Sequence, residues 1–244
     1  MAARSTAIHR PDDAPNRKSL DRLCCELPSL DSLHDMNAPI LWYFADPMCS
    51  WCWGFSPVIE TLRDEYHERT KIALVLGGLR PGETAPMTVA NREEILHHWY
   101  QVHERTGQPF RFEDALPEGF VYDTEPASRA VTAIGGIEPA LIFPLFKAIQ
   151  SAFYAEGRDV TQTAVLVGLA TGLGVEAARF LGAFDSDDAR AHTQAHFRHA
   201  RQAGVRGFPA LILQQDTQLH PISNGCQPLE VVREAIDRCL QPAV

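Results

Sequence analysis

The chain has 244 residues, a formal net charge of −9, and 45% hydrophobic against 22% charged residues. That length can bury a substantial core without covalent staples. The acidic balance argues against nucleic acid or an anionic membrane as partner, since both select basic patches, and no apolar run reaches the length of a membrane span.

From the N-terminus, residues 1–39 mix Arg, Asp, Pro and Ser. They contain no continuous apolar stretch of the secretory-signal kind, so a cytoplasmic location is expected. The six cysteines then read as redox or structural thiols and not as a disulfide framework. Residues 1–18 read as disordered, and Ser19–Leu33 reads as a short helix packing on the body or on a partner.

Ile40–Phe44 reads as a buried strand, Asp46-Pro47-Met48 as a turn, and Ser50–Arg69 as a helix with apolar spacing through Ile59, Leu62 and Tyr66. Lys71–Gly78 is a second buried strand, so the opening is a βαβ unit with parallel pairing and a right-handed crossover. A helical stretch follows. Asn91 is the expected cap of a helix running to Gly107. Pro126–Ile134, Pro139–Tyr154, Thr161–Thr171 and Glu176–Phe184 carry helical spacing, and Ser186 opens a helix towards Ala203 with Asp187 and Asp188 at its positive end. Gly204–Pro209 is a turn. Ala210–Leu213 and Leu219–Ser223 suggest a hairpin, and Leu229–Leu240 a last helix.

The chemistry concentrates at Cys49-Ser50-Trp51-Cys52, between the first strand and helix. Cys49 falls at a helix N-terminus, where unpaired N–H groups and the helix dipole favour a thiolate, the reactive form of sulfur. Cys52 follows within one turn, close enough to close a disulfide. A lone CxxC also occurs as half of many zinc sites. The βαβ placement favours redox use; Pro57 inside the helix removes a hydrogen bond, and Pro209 sits just before a late strand.

With these residues the chain resembles the thioredoxin-fold disulfide oxidoreductases, and more closely the DsbA family. Asp46–Phe55, Gly77-Gly78-Leu79-Arg80-Pro81-Gly82 and Asp123-Thr124-Glu125-Pro126-Ala127 resemble its cytoplasmic FrnE-like branch. The resemblance covers about 40–240. It implies an α/β, thioredoxin-like fold with an all-helical insertion: an extension over 1–39, a thioredoxin-like domain over 40–90 and 185–244, and an insertion over 91–184. It further implies Cys49 as nucleophile, Cys52 as resolving thiol and Pro209 in the cis form. Ser50, Trp51, Phe208 and Pro209 then make the substrate-facing surface. The expected partners are protein or peptide thiols and disulfides together with glutathione, and the reading calls for no cofactor and no metal.

The remaining candidates carry weaker patterns. Cys24 and Cys25 are adjacent, and a vicinal bridge is strained, so both read as ordinary thiols. Cys226 reads as loop and Cys239 as helix-face packing. His192, His196 and His199 share a helix face at metal-ligand spacing, but no cysteine or carboxylate completes a set, and a solvated polar face accounts for them. Trp42 and Phe55 read as core, whereas Trp51 and Trp53 stand near the thiols as possible apolar contact surface. Two other functions compete: a non-catalytic adaptor that uses the fold as a scaffold, and a glutathione-dependent isomerase or transferase of the kappa-like branch. The intact cysteine pair disfavours the second.

Overall fold

The computed structural model describes residues 38–241; the expectations for Cys24, Cys25 and Ser19–Leu33 lie outside these residues. Strand β1 (Ile40–Ala45) pairs in parallel with β2 (Lys71–Leu76), with Ile40 opposite Lys71 and Ala45 opposite Leu76. On its other side β1 pairs antiparallel with β3 (Ala210–Gln215), which turns back into β4 (Gln218–Asn224). The sheet order is therefore β2-β1-β3-β4.

A central strand must be apolar on both faces, which explains the unbroken Ile-Leu-Trp-Tyr-Phe-Ala run. Leu41, Tyr43 and Ala45 join the larger core, whereas Trp42 and Phe44 point to the opposite face with Val75, Ala200, Ala203 and Ile212. Each fully buried large side chain contributes roughly 1.5–3 kcal/mol.

Helix α1 spans Ser50–Tyr66. It ends three residues before the expected Arg69 because the N–H groups of Arg69 and Thr70 both turn back onto the Tyr66 carbonyl, at 2.8 and 2.9 Å. Pro57 lacks the N–H that would bond to the Trp53 carbonyl. Gln108 fills the gap: its side-chain amide donates to Trp53 O at 2.9 Å and to Ser56 Oγ at 2.7 Å.

Five helices follow β2: α2 (Val89–Thr106), α3 (Glu125–Ile137), α4 (Ile142–Tyr154, preceded by a 3-10 turn over Pro139–Leu141), α5 (Thr163–Gly172) and α6 (Ala177–Phe184). The cap of α2 is Thr88 and not Asn91: Thr88 Oγ1 accepts the Asn91 N–H at 3.2 Å, which places Asn91 inside the first turn. This group packs on α1 at close range. A Cβ on Gly54 would stand 2.6 Å from Val102 Cγ1, so glycine there permits the α1–α2 contact.

Helix α7 (Asp187–Gln202), capped by Ser186, returns the chain to the sheet, and α8 (Leu229–Leu240) closes it. The histidines of α7 are not a solvated face. His199 is buried and stacks on Phe44, with ring centroids 6.1 Å apart, while Leu76 N–H donates to His196 Nδ1 at 3.4 Å. Two of the three are thus committed to packing α7 against the sheet, because the face that carries them is the one turned inward.

The far end of β2 borders an apolar cleft of about 1140 Å³, lined by Ile72 and Leu74, by Val131, Gly135 and Gly136 of α3, and by Phe143 of α4. Lys71 N–H bonds to Pro39 O and Gly77 N–H to Ala45 O. With the period of two, the N–H groups of Ile72 and Leu74 therefore point away from β1, towards this open edge.

Candidate functional site

The site forms where β1 ends beside the start of β3. After β1, the Asp46-Pro47-Met48 turn closes with Cys49 N–H on Asp46 O at 3.1 Å. Cys49 is then the N-cap of α1, in extended conformation (φ −99°, ψ 117°) and with no side-chain capping bond. Its sulfur is thus not used to cap the helix and lies at its positive end. Of the pair, Cys49 retains 6% exposure and Cys52 none. What access there is belongs to Cys49, and the turn and the cis-proline loop cover most of the residue.

That loop is the second component. The Phe208–Pro209 peptide bond is cis, and the Cys49 thiol donates to the Phe208 carbonyl at 3.6 Å. Phe208 abuts the chain after β2 with the tip of its ring: a Cβ on Gly77 would fall 2.1 Å from its Cζ. The residues Cys49, Cys52, Phe208 and Pro209, far apart in sequence, are thus brought together. Ser50 and Trp51 stand half-buried in the first turn between the thiols. Trp53 is not a surface contact: it is buried, stacks on Tyr154 and donates its indole N–H to Pro109 O at 2.9 Å. Trp42 and Phe55 are core.

The electrostatics separate the two sulfurs. Burial pushes the Cys52 thiol well above its ordinary range, and the neighbouring Cys49 adds to this by hydrogen bond and charge, while the Asp46 backbone opposes it. Cys52 therefore stays protonated until something removes its proton. Tyr43 packs below the pair; burial raises its phenol first, and the charges of Cys52, Cys49 and Cys226 raise it further.

Several contributors carry no periodic signal in the sequence. The Asp46 carboxylate is fully buried and accepts N–H bonds from Met48 at 2.9 Å and Leu79 at 2.8 Å, locking the turn to the loop after β2. Burial pushes its pKa up to about 6, against the pull of those bonds. Tyr122 donates its hydroxyl to Met48 O at 2.6 Å. Cys226, read as loop, does lie in the connection after β4, yet it sits within electrostatic reach of Cys49 and Arg105. The reason is that Gly225 N–H bonds to Pro209 O at 2.8 Å, carrying the ladder past β4 to the cis-proline. Only Asp46, an acid before a proline in a turn, left a trace that could have been read.

The profile of the DSBA-like thioredoxin domain matches residues 40–237. Among solved structures, a candidate protein disulfide isomerase from Nitrosomonas europaea is 48% identical, with a TM-score of 0.80 over 85% of this chain and 100% of that one. The cytosolic disulfide reductase DsbM from Pseudomonas aeruginosa is 28% identical, with a TM-score of 0.69 over 82% of this chain and 98% of its own; a second structure of DsbM was solved with GSH. Among curated proteins, the ClpXP adapter protein SpxH of Halalkalibacterium halodurans is 21% identical over 72% of this chain, which spans 58% of that protein's length.

Proposed function

This chain belongs to the DSBA-like thioredoxin family, and we propose that it acts there as a thiol–disulfide oxidoreductase of the cytoplasm, using Cys49 and Cys52 on protein or small-molecule disulfides with glutathione as a partner. The observation that carries this is the Cys49 sulfur at the N-terminus of α1, 3.6 Å from the Phe208 carbonyl that precedes Pro209. A substrate segment lying against that carbonyl presents its disulfide to Cys49.

The chemistry balances within the pair and its substrate. The Cys49 thiolate attacks one sulfur of the substrate disulfide; a mixed disulfide forms and the other substrate sulfur leaves as a thiolate. Cys52, once deprotonated, attacks the Cys49 sulfur, releasing the second substrate thiol and leaving Cys49–Cys52 oxidised by two electrons. Asp46 is suited to accept the Cys52 proton, since a buried carboxylate at about 6 is matched to neutral pH. Glutathione resets the pair by the reverse exchange. Net direction follows the couple's potential against the cytosolic poise, and the similarity to DsbM supports the reducing direction.

The test is turnover of insulin with reduced glutathione as the electron donor, and of oxidised glutathione with dithiothreitol as the donor, by the wild type, Cys49→Ser and Cys52→Ser. Wild-type turnover together with a trapped mixed disulfide in Cys52→Ser is the expected result. Equal rates for wild type and Cys49→Ser overturn the assignment.

A second reading, a protein-binding adaptor, is favoured by the cleft beside β2. It lies apart from both thiols and offers an unpaired strand edge to an extended segment, and SpxH is an adaptor. A Cys49→Ser/Cys52→Ser chain that keeps a partner bound supports it, whereas a partner held only through mixed disulfides refutes it.

A further inference from the structure

Trp51 stands between the two cysteines, and the guanidinium of Arg105 lies over its ring, 5.8 Å from the centroid. Arg105 occupies the last turn of α2 and is exposed. Like Arg63, Arg80 and several other arginines, Arg105 has no carboxylate within ion-pair distance among the described residues; what sets it apart is its place over the tryptophan between the two cysteines. Its charge reaches across the site, where it pulls the Cys226 thiol down against the effect of burial. Arg105, Trp51, Cys226 and the cis-proline loop thus ring the mouth above Cys49.

Packing alone does not account for this cation. The end of a helix and the face of a tryptophan each favour a positive charge, but both are served by lysine and leave the planar donor fork of arginine unused. The chain as a whole carries −9, a field that disfavours anionic substrates, so a cation without an ion pair over Trp51, the residue before Cys52, is a place where an anion can be received.

We infer that Arg105 is a specificity-determining residue that binds the carboxylate of the substrate, and that the site therefore prefers thiols and disulfides bearing a carboxylate within a residue or so of the sulfur, the glutathione class, over neutral ones. The inference rests on the oxidoreductase reading. Arg105 lies on α2, over Trp51 and within electrostatic reach of Cys226, so it acts on binding and leaves the sulfur chemistry to Cys49 and Cys52. A bidentate guanidinium–carboxylate contact at a half-open mouth corresponds to about a tenfold change in affinity.

Three disulfides, each turned over with dithiothreitol as the electron donor that resets the pair, separate charge from shape: oxidised glutathione, its N-acetylated ethyl ester with every charge masked, and bis(2-hydroxyethyl) disulfide. For Arg105→Gln, KM for oxidised glutathione rises about tenfold with kcat within about twofold, and the preference for it over the two neutral disulfides falls by the same factor. Arg105→Lys recovers part of the preference. Equal slowing on all three disulfides, or no change on any, overturns the inference. Calorimetric binding of S-methylglutathione, which cannot exchange, keeps it testable if the wild type turns nothing over: equal affinity for wild type and Arg105→Gln refutes the anchor, whereas a dead wild type refutes the enzyme.

Discussion

The two ends of β1 solve opposite problems. At the Ala45 end the turn is tied down by polar contacts: Asp46 holds Met48 and Leu79, Tyr122 holds Met48 O, and Phe208 O receives the Cys49 thiol. At the Ile40 end the strand opens onto the apolar cleft, where the outward N–H groups of Ile72 and Leu74 have no strand to pair with among the described residues. One end is fixed by polar contacts around two sulfurs, the other is apolar and open. A site that moves bonds between sulfurs needs fixed geometry; a surface that takes up another segment needs an unfilled one. The comparison predicts that changes at the first end are felt as lost exchange, and changes at the second as altered stability with exchange kept.

The largest effect is expected for Cys49→Ser. Loss of the nucleophile lowers disulfide exchange by at least about 10³-fold, while thermal unfolding moves by no more than about 1 kcal/mol, because the small side chain is replaced by one nearly isosteric. Insulin reduction and a melting curve on the same preparation check both halves. A loss of activity that comes with wholesale unfolding breaks the comparison.

Next is Gly77→Ala. The added Cβ would fall 2.1 Å from the Phe208 ring, so the ring, and with it the carbonyl facing Cys49, must move. Overpacking of this kind costs about 1–3 kcal/mol, and the displaced carbonyl lowers exchange about tenfold or more. Denaturant titration beside turnover tests it; unchanged turnover shows that Phe208 is not held by Gly77.

How much of this was legible can be judged from particular residues. The apolar run of β1, the strand–turn–helix that carries Cys49, the hairpin and the bounds of α8 were all readable, since each is written in local spacing and breakers. The family was readable because its motifs are local too, and the profile over 40–237 agrees with it. What failed needed neighbours. Thr88 and Asn91 both make caps, and nothing local chooses between them. His196 and His199 look like a polar face until the sheet packs on them. Gln108, Tyr122, Cys226 and Arg105 reach the site from distant segments, and only the tertiary fold places them beside the thiols.

A smaller effect is expected at His196, on the cleft side. Burial, with His199 and His192 adding, holds its pKa down to about 4; Arg63, Asp64, His67, Lys71, Asp188 and His192 are the other titratable or charged groups of the lining. The neutral ring is favoured in the fold, and it accepts the Leu76 N–H. The unfolded chain therefore takes up a proton near 6.5 and the folded chain only near 4. Stability is full above about pH 6.5 and falls as pH drops towards 4, by about 2–3 kcal/mol. Asp46 acts in the opposite sense: its raised pKa gives stability present at low pH and lost as pH rises through about 6. His196→Asn keeps an acceptor for Leu76 and removes the titration, so its stability is expected to fall less between pH 6.5 and 4, with exchange at pH 7 retained. Denaturant midpoints at several pH values decide it, and parallel curves for the two proteins refute the assignment.

The smallest effect separates the two ends by a single methyl group. Gly136 sits in the last turn of α3 and lines the cleft, and a Cβ there meets nothing within 4 Å. Alanine in a helix is favoured over glycine by up to about 1 kcal/mol, mostly because the unfolded chain loses freedom; in a terminal turn about half of that is expected. The same Gly→Ala change thus has opposite signs at the two ends: destabilising and inactivating at Gly77, where the space is taken by Phe208, stabilising and silent at Gly136, where it is empty. A melting temperature raised by a degree or two at unchanged turnover is the expected result for Gly136→Ala. A lowered one means that the cleft is filled in solution, and the methyl group then serves as a probe of whatever fills it.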